Sequence, residues 1–200
     1  MSPEKDLCCD RQTAWDLLCS YAESDSLRKH ALAVECAMRA CARHFGEDEE
    51  LWGVVGLIHD FDYEKYPDAA THPYAGERIL EKLGYPESVR RAIMSHASYT
   101  GVPRDTLMAR ALFSVDELSG FVTACALVKP SRSIFEVEAK SVIKKMKDKA
   151  FARAVSRDDI RQGALELGVE LEEHIGLVIN AMKEAAGQLG LVGTAEGRQE

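Results

Sequence analysis

No stretch of the sequence stays apolar for long. None of its runs approaches the roughly 18–20 residues that a transmembrane helix needs, so no association with a membrane is expected. The first residues, MSPEKDLCCDRQ, lack the basic-then-apolar order of a secretory leader, and a cytoplasmic protein with reduced thiols is the expectation. Six cysteines are present but no CxxC spacing. Cys8 and Cys9 adjoin without the spacing of a zinc or redox motif. Positive charge is also short. A net charge of −8 and a pI near 5.3 argue against general affinity for nucleic acid or an anionic lipid surface. Alternating β-branched residues are missing, as are internal repeats and a linker between domains. Helical period is what remains.

The 200 residues, 46% of them hydrophobic, suffice for one core. The period predicts an all-α single domain. Residues 1–24 form an N-terminal helix, 25–125 a core, 126–190 helices completing the same domain, and 191–200 a disordered tail. Asp25 or Ser26 is placed to cap a helix whose stripe is Ala33, Val34, Ala37, Met38, Cys41 and Phe45. Ala75, Ile79 and Leu83 define the inner face of a later helix, and Val89, Ala92 and Ile93 that of the next. Ser133 with Glu136 has the pattern of a capping box, ahead of a helix burying Phe135, Ala139, Val142, Ile143 and Met146.

The most informative stretch is LWGVVGLIHDFDYEKYPD, residues 51–68. Its first half is apolar or Gly throughout, which marks a buried helix. That helix ends in His59-Asp60. A carboxylate there faces the negative end of the helix dipole, and burying it unpaired costs several kcal/mol. A divalent cation shared with neutral His59 relieves both. Further residues of suitable type project from other helices: His30 on the first stripe, His96 one turn beyond Ile93, and Asp116 at i+4 from Leu112. His72 stands before Pro73 at a helix entrance. His44 and His174 are read as structural.

The order His, His-Asp, His, His, Asp on consecutive helices resembles the HD superfamily of metal-dependent phosphohydrolases. The likeness runs from about Leu27 to Phe121, and the segment after it is similar to that of small bacterial HD-domain hydrolases. The resemblance implies an HD-type helical bundle with a metal centre between helices. His30, His59, Asp60 and Asp116 would hold one divalent ion, and Asp60 would bridge to a second held by His72 and His96. Where many relatives read His-Asp-Ile-Gly, this chain has Phe61-Asp62, so its turn differs.

Imidazole and carboxylate ligands suit Mn, Fe, Co, Ni or Zn, one or two ions per chain. Asp60, with Asp62 and Glu64 as general acid or base, is the expected catalytic group. A small phosphorylated substrate, such as a nucleotide, needs cations opposite the metal. Arg28 and Lys29 are candidates, as are Lys129, Arg132, Lys144 and Lys145 in a segment, 129–157, with nine basic and three acidic residues. The chain is expected as monomer or homodimer. Two other functions share the pattern: a mixed-valent di-iron oxygenase, and a binding module that keeps the scaffold without catalysis.

Overall fold

A computed structural model describes residues 10–193. Cys8, Cys9 and residues 194–200 of the expected tail lie outside the described residues. Among those described, ten α-helices occur and no sheet: α1 Arg11–Tyr21, α2 Asp25–Phe45, α3 Glu49–Ile58, α4 Tyr74–Lys82, α5 Glu87–His96, α6 Leu107–Leu127, α7 Ala139–Lys145, α8 Arg157–Leu167, α9 Leu171–Glu184 and α10 Ala186–Leu189. None of them is long and apolar enough to cross a membrane.

The helices begin and stop for local reasons. Asp10, Asp48 and Thr106 accept amide hydrogen bonds at the starts of α1, α3 and α6. Ser24, rather than Asp25 or Ser26, caps α2 by accepting from the Leu27 amide. The turn ends at Gly46, in a left-handed conformation. Seven consecutive residues of α3, Trp52 to Ile58, are buried, as the apolar run requires. α2 packs most extensively on α3, and α6 on α8, with α2 also against α6 and α9. One core results, with Val34, Met38, Leu57, Ile58, Leu112, Leu118, Phe121 and Ile175 among its fully enclosed members.

Three expectations shift. In α4 the buried positions are Ala75, Gly76 and Leu80, and Leu83 is exposed. The inner face is therefore turned by one residue. Ser133 does cap, but only a short 3₁₀ turn, Ile134–Glu136. Ile134 and Val137 take the core places, and Phe135 is left in solvent. α7 then starts separately, with Glu138 and Ser141 forming the reciprocal cap. The packed chain also continues past residue 190. Leu191 is buried, its carbonyl accepts the Ile134 amide at 2.9 Å, and Val192 pairs with Ser133.

Candidate metal centre

Five elements deliver the six histidine and aspartate side chains to one place. α3 carries His59 at its end, fully enclosed. Its Nδ1 lies 2.8 Å from the Gly56 carbonyl, one turn back. A carbonyl only accepts, so Nδ1 carries a proton and Nε2 is the nitrogen turned toward the cluster. His96 ends α5 in the same way, with Nδ1 at 2.5 Å from the Ile93 carbonyl. His30 comes from the second turn of α2 and Asp116 from the middle of α6. His72 precedes α4. Its peptide to Pro73 is cis, and the helix begins only at Tyr74.

Asp60 divides these groups into two sets. Its Oδ1 is 3.2 Å from Nε2 of both His72 and His96. Its Oδ2 is 3.4 Å from His59 Nε2 and 4.0 Å from His30 Nε2. Asp116 Oδ1 completes the second set, at 3.1 Å from His30 and 3.4 Å from His59. Within each set, His30–His59–Asp60–Asp116 and Asp60–His72–His96, the donor atoms lie within 4.8 Å of one another.

The electrostatics ask for a cation. Burial disfavours charge on His59, yet the Asp60 and Asp116 carboxylates outweigh it and hold its pKa well above the ordinary range. For His72 burial again opposes, and the facing Asp60 and Asp62 carboxylates lift it to about 9. Burial raises Asp60 and Asp116, but the facing imidazoles dominate and both stay ionised. Two buried atoms, His59 Nε2 and Asp60 Oδ1, have no hydrogen-bond partner. Orphaned buried polar atoms are rare in proteins. Imidazole nitrogens and carboxylate oxygens aimed at a common point suit a divalent transition metal, so the residues fit such an ion.

The other expected site residues divide differently. Asp62 is 1% exposed and does not reach the open cleft. One oxygen faces His72 Nδ1 at 2.9 Å and the other accepts the Gly76 amide at 2.8 Å. It is placed to orient a histidine, not to exchange protons with a substrate. Gly76 is required by this approach, because a Cβ there would stand 2.9 Å from the Asp62 carboxyl carbon. Glu64 uses Oε2 to accept from the Glu23 and Ser24 amides, at 3.0 and 3.1 Å, and from the Ser24 hydroxyl. These bonds hold its carboxyl below the usual range. A carboxylate so held is a poor proton donor; it fastens the start of α2 and borders a depression shared with His30 and Asp60.

Arg28 is likewise engaged, donating to the Ala22 and Cys19 carbonyls at the end of α1. Lys129, Lys144 and Lys145 line a surface depression with Cys125, Ser141 and Asp148, none of which borders the cluster. Lys29 and Arg132 do lie beside it, in a cavity shared with His30. Four residues at the centre escaped the sequence reading. Glu117, Asp159, Tyr63 and Tyr99 line the cleft of about 430 Å³ over Asp60 and the histidines. Burial pushes the Glu117 carboxyl up to about 7, helped by neighbouring Asp116. A second acid beside Asp116 in an otherwise apolar helix was the available signal. The tyrosines carried none.

No curated protein and no solved structure matches the chain. The HD domain family model matches residues 27–120, a segment that begins before His30 and ends after Asp116. All six clustered side chains fall within it, and residues 27–120 form an HD domain.

Proposed function

We propose that the protein is a metal-dependent phosphohydrolase acting on a nucleotide or another small phosphate ester. The observation that supports this most is the two-sided Asp60 carboxylate, with one histidine pair on Oδ1 and a second histidine set on Oδ2. Such a carboxylate is suited to span two cations, as two-metal hydrolytic sites require. A divalent ion, when bound, lowers the pKa of coordinated water and polarises a phosphoryl oxygen.

The chain's own residues supply the rest. Backbone carbonyls of Gly56 and Ile93 fix the tautomers of His59 and His96, so both present Nε2 without rearrangement. Asp62 does the same for His72. Phe113, Tyr63 and Tyr99 give the cleft aromatic walls. In the reaction water adds to phosphorus, the bond from phosphorus to the leaving oxygen breaks, and that oxygen gains the proton the water loses.

The test is release of inorganic phosphate from a panel of nucleotides and phosphomonoesters by protein loaded with Mn, Fe, Co, Ni or Zn. Turnover abolished by Asp60→Ala supports the proposal. Oxygen consumption by iron-loaded protein without phosphate release would replace it with the di-iron oxygenase reading. Failure to bind any of the five metals would leave a non-catalytic module.

A further inference from the structure

A second cavity, of about 340 Å³, adjoins the cluster and shares His30 and Gly120 with the cleft above it. Its walls are apolar on one side, where Leu127, Leu189 and Leu191 meet. Two cations, Lys29 and Arg132, also line it. Lys29 precedes His30 in α2, and its ammonium lies 2.6 Å from Asp25. Asp25 is largely solvated, so this pair holds Lys29 only weakly. Arg132 has no carboxylate partner among the described residues.

The local chain is shaped to put these two charges here. Arg132 has φ 54, a left-handed conformation uncommon for a residue with a side chain. It is held by the ties on either side of it. The Arg132 amide donates to the Lys129 carbonyl, while Ser133 and Ile134 are bonded to Val192 and Leu191. Gly190, at φ 69, lies between Leu189 and Leu191 and against Lys29, where a Cβ would stand 3.2 Å from Lys29 Nζ. Charge separates the two sides of the centre. The cleft over Asp60 is lined by the acidic residues Glu117 and Asp159, whereas the adjoining cavity is lined by Lys29 and Arg132 against the single carboxylate of Asp25, so positive charge is in excess only there.

On the phosphohydrolase reading given above, we infer that this cavity is the leaving-group pocket and selects phosphate esters whose apolar body carries a second anionic group. The transferred phosphate faces the cluster, the body lies on Leu127, Leu189 and Leu191, and the second anion meets Lys29 and Arg132. Arginine offers that anion a planar, two-pronged set of donors, and lysine a point charge.

A matched pair of probes tests it: phenyl phosphate, and 4-carboxyphenyl phosphate, which adds one carboxylate to the same ring. Manganese-loaded full-length protein is assayed for phosphate release from each. The two corresponding phosphonates, which cannot be hydrolysed, are titrated by calorimetry in parallel. The expected result is about a tenfold advantage for the carboxylated member, equivalent to about 1.4 kcal/mol, in kcat/KM and in phosphonate affinity. It should fall to about one in the Lys29→Gln/Arg132→Gln double variant and invert in Arg132→Glu. Retained manganese binding shows that the variants fold. No discrimination in either assay, or discrimination that survives the double variant, overturns the inference. Phosphonate discrimination without hydrolysis of either ester supports the pocket and removes the hydrolase reading. Hydrolysis of both esters at equal rates does the reverse.

Discussion

Asp62 backs His72 from inside the protein, with Oδ1 at 2.9 Å from Nδ1 and the other oxygen fixed by the Gly76 amide. The arrangement fixes the ring's tautomer and raises the basicity of Nε2, which faces Asp60. Asp62→Asn should weaken the more loosely held metal ion by roughly 10–100-fold, the usual cost of losing such an outer partner. Gly76→Ala, which crowds the same carboxylate, should act in the same direction. Equilibrium metal titration reads both. Unchanged affinity in both variants would return Asp62 to a purely structural role.

Metal content distinguishes the two sets of ligands. Purified protein should approach two ions per chain by elemental analysis. His96→Ala should lose one of them, His59→Ala the other, and Asp60→Ala both, since only Asp60 serves both sets. Full metal content in both His72→Ala and His96→Ala would leave a four-ligand site standing alone. Chelation should also lower the melting temperature, with Mn or Ni restoring it, because a ligand at a hundredfold excess over its dissociation constant stabilises by about 2.7 kcal/mol.

The clustered histidines and Asp116 were legible because helical period makes side-chain direction predictable from spacing alone. His96 follows Ile93 by one turn, and Asp116 follows Leu112. Asp62 was not legible, since it sits in a run of turns after α3 where no period applies. There Phe61 and Asp62 are both enclosed, while Tyr63 and Glu64 are exposed. Adjacency to the His-Asp pair made a catalytic role plausible, but burial decides against it. The lysines of α7 misled for the opposite reason. Their sequence density indicates charge, and only the fold says which charges border the cluster. Arg132 does so because of one left-handed residue that composition does not reveal.

Lys144→Ala and Lys145→Ala should therefore leave kcat/KM for phosphate esters within about twofold of the parent protein, as surface substitutions away from a site usually do. Their depression shares no lining residue with the cleft or with the cavity beside it. A tenfold rise in KM for either variant would show that the basic segment reaches the substrate.

His174 links stability to pH away from the metal cluster. It is buried, with Nε2 donating to the Ser114 carbonyl at 3.2 Å. Burial drives its pKa from 6.5 down to about 4. With the folded value depressed, the unfolded chain takes up the proton first, and stability falls as pH drops from about 6.5 towards 4. Between pH 7 and pH 5 this group alone should cost about 2 kcal/mol. Denaturant unfolding with a chelator present should show that much less acid sensitivity in His174→Gln, whose amide can also donate to Ser114. Equal pH dependence in the two proteins would contradict the assignment.

The carboxylate of Glu64 that fastens the start of α2 has a companion in the next residue. Lys65 donates to the Ser20 carbonyl at 2.8 Å and lies over the Tyr21 ring, which in turn meets Phe61 edge-on. Residues 60–66 and the corner between α1 and α2 are thereby tied to one another through Glu64, Lys65 and Phe61. The position of Asp60 is thus braced by a helix that supplies none of the six clustered side chains.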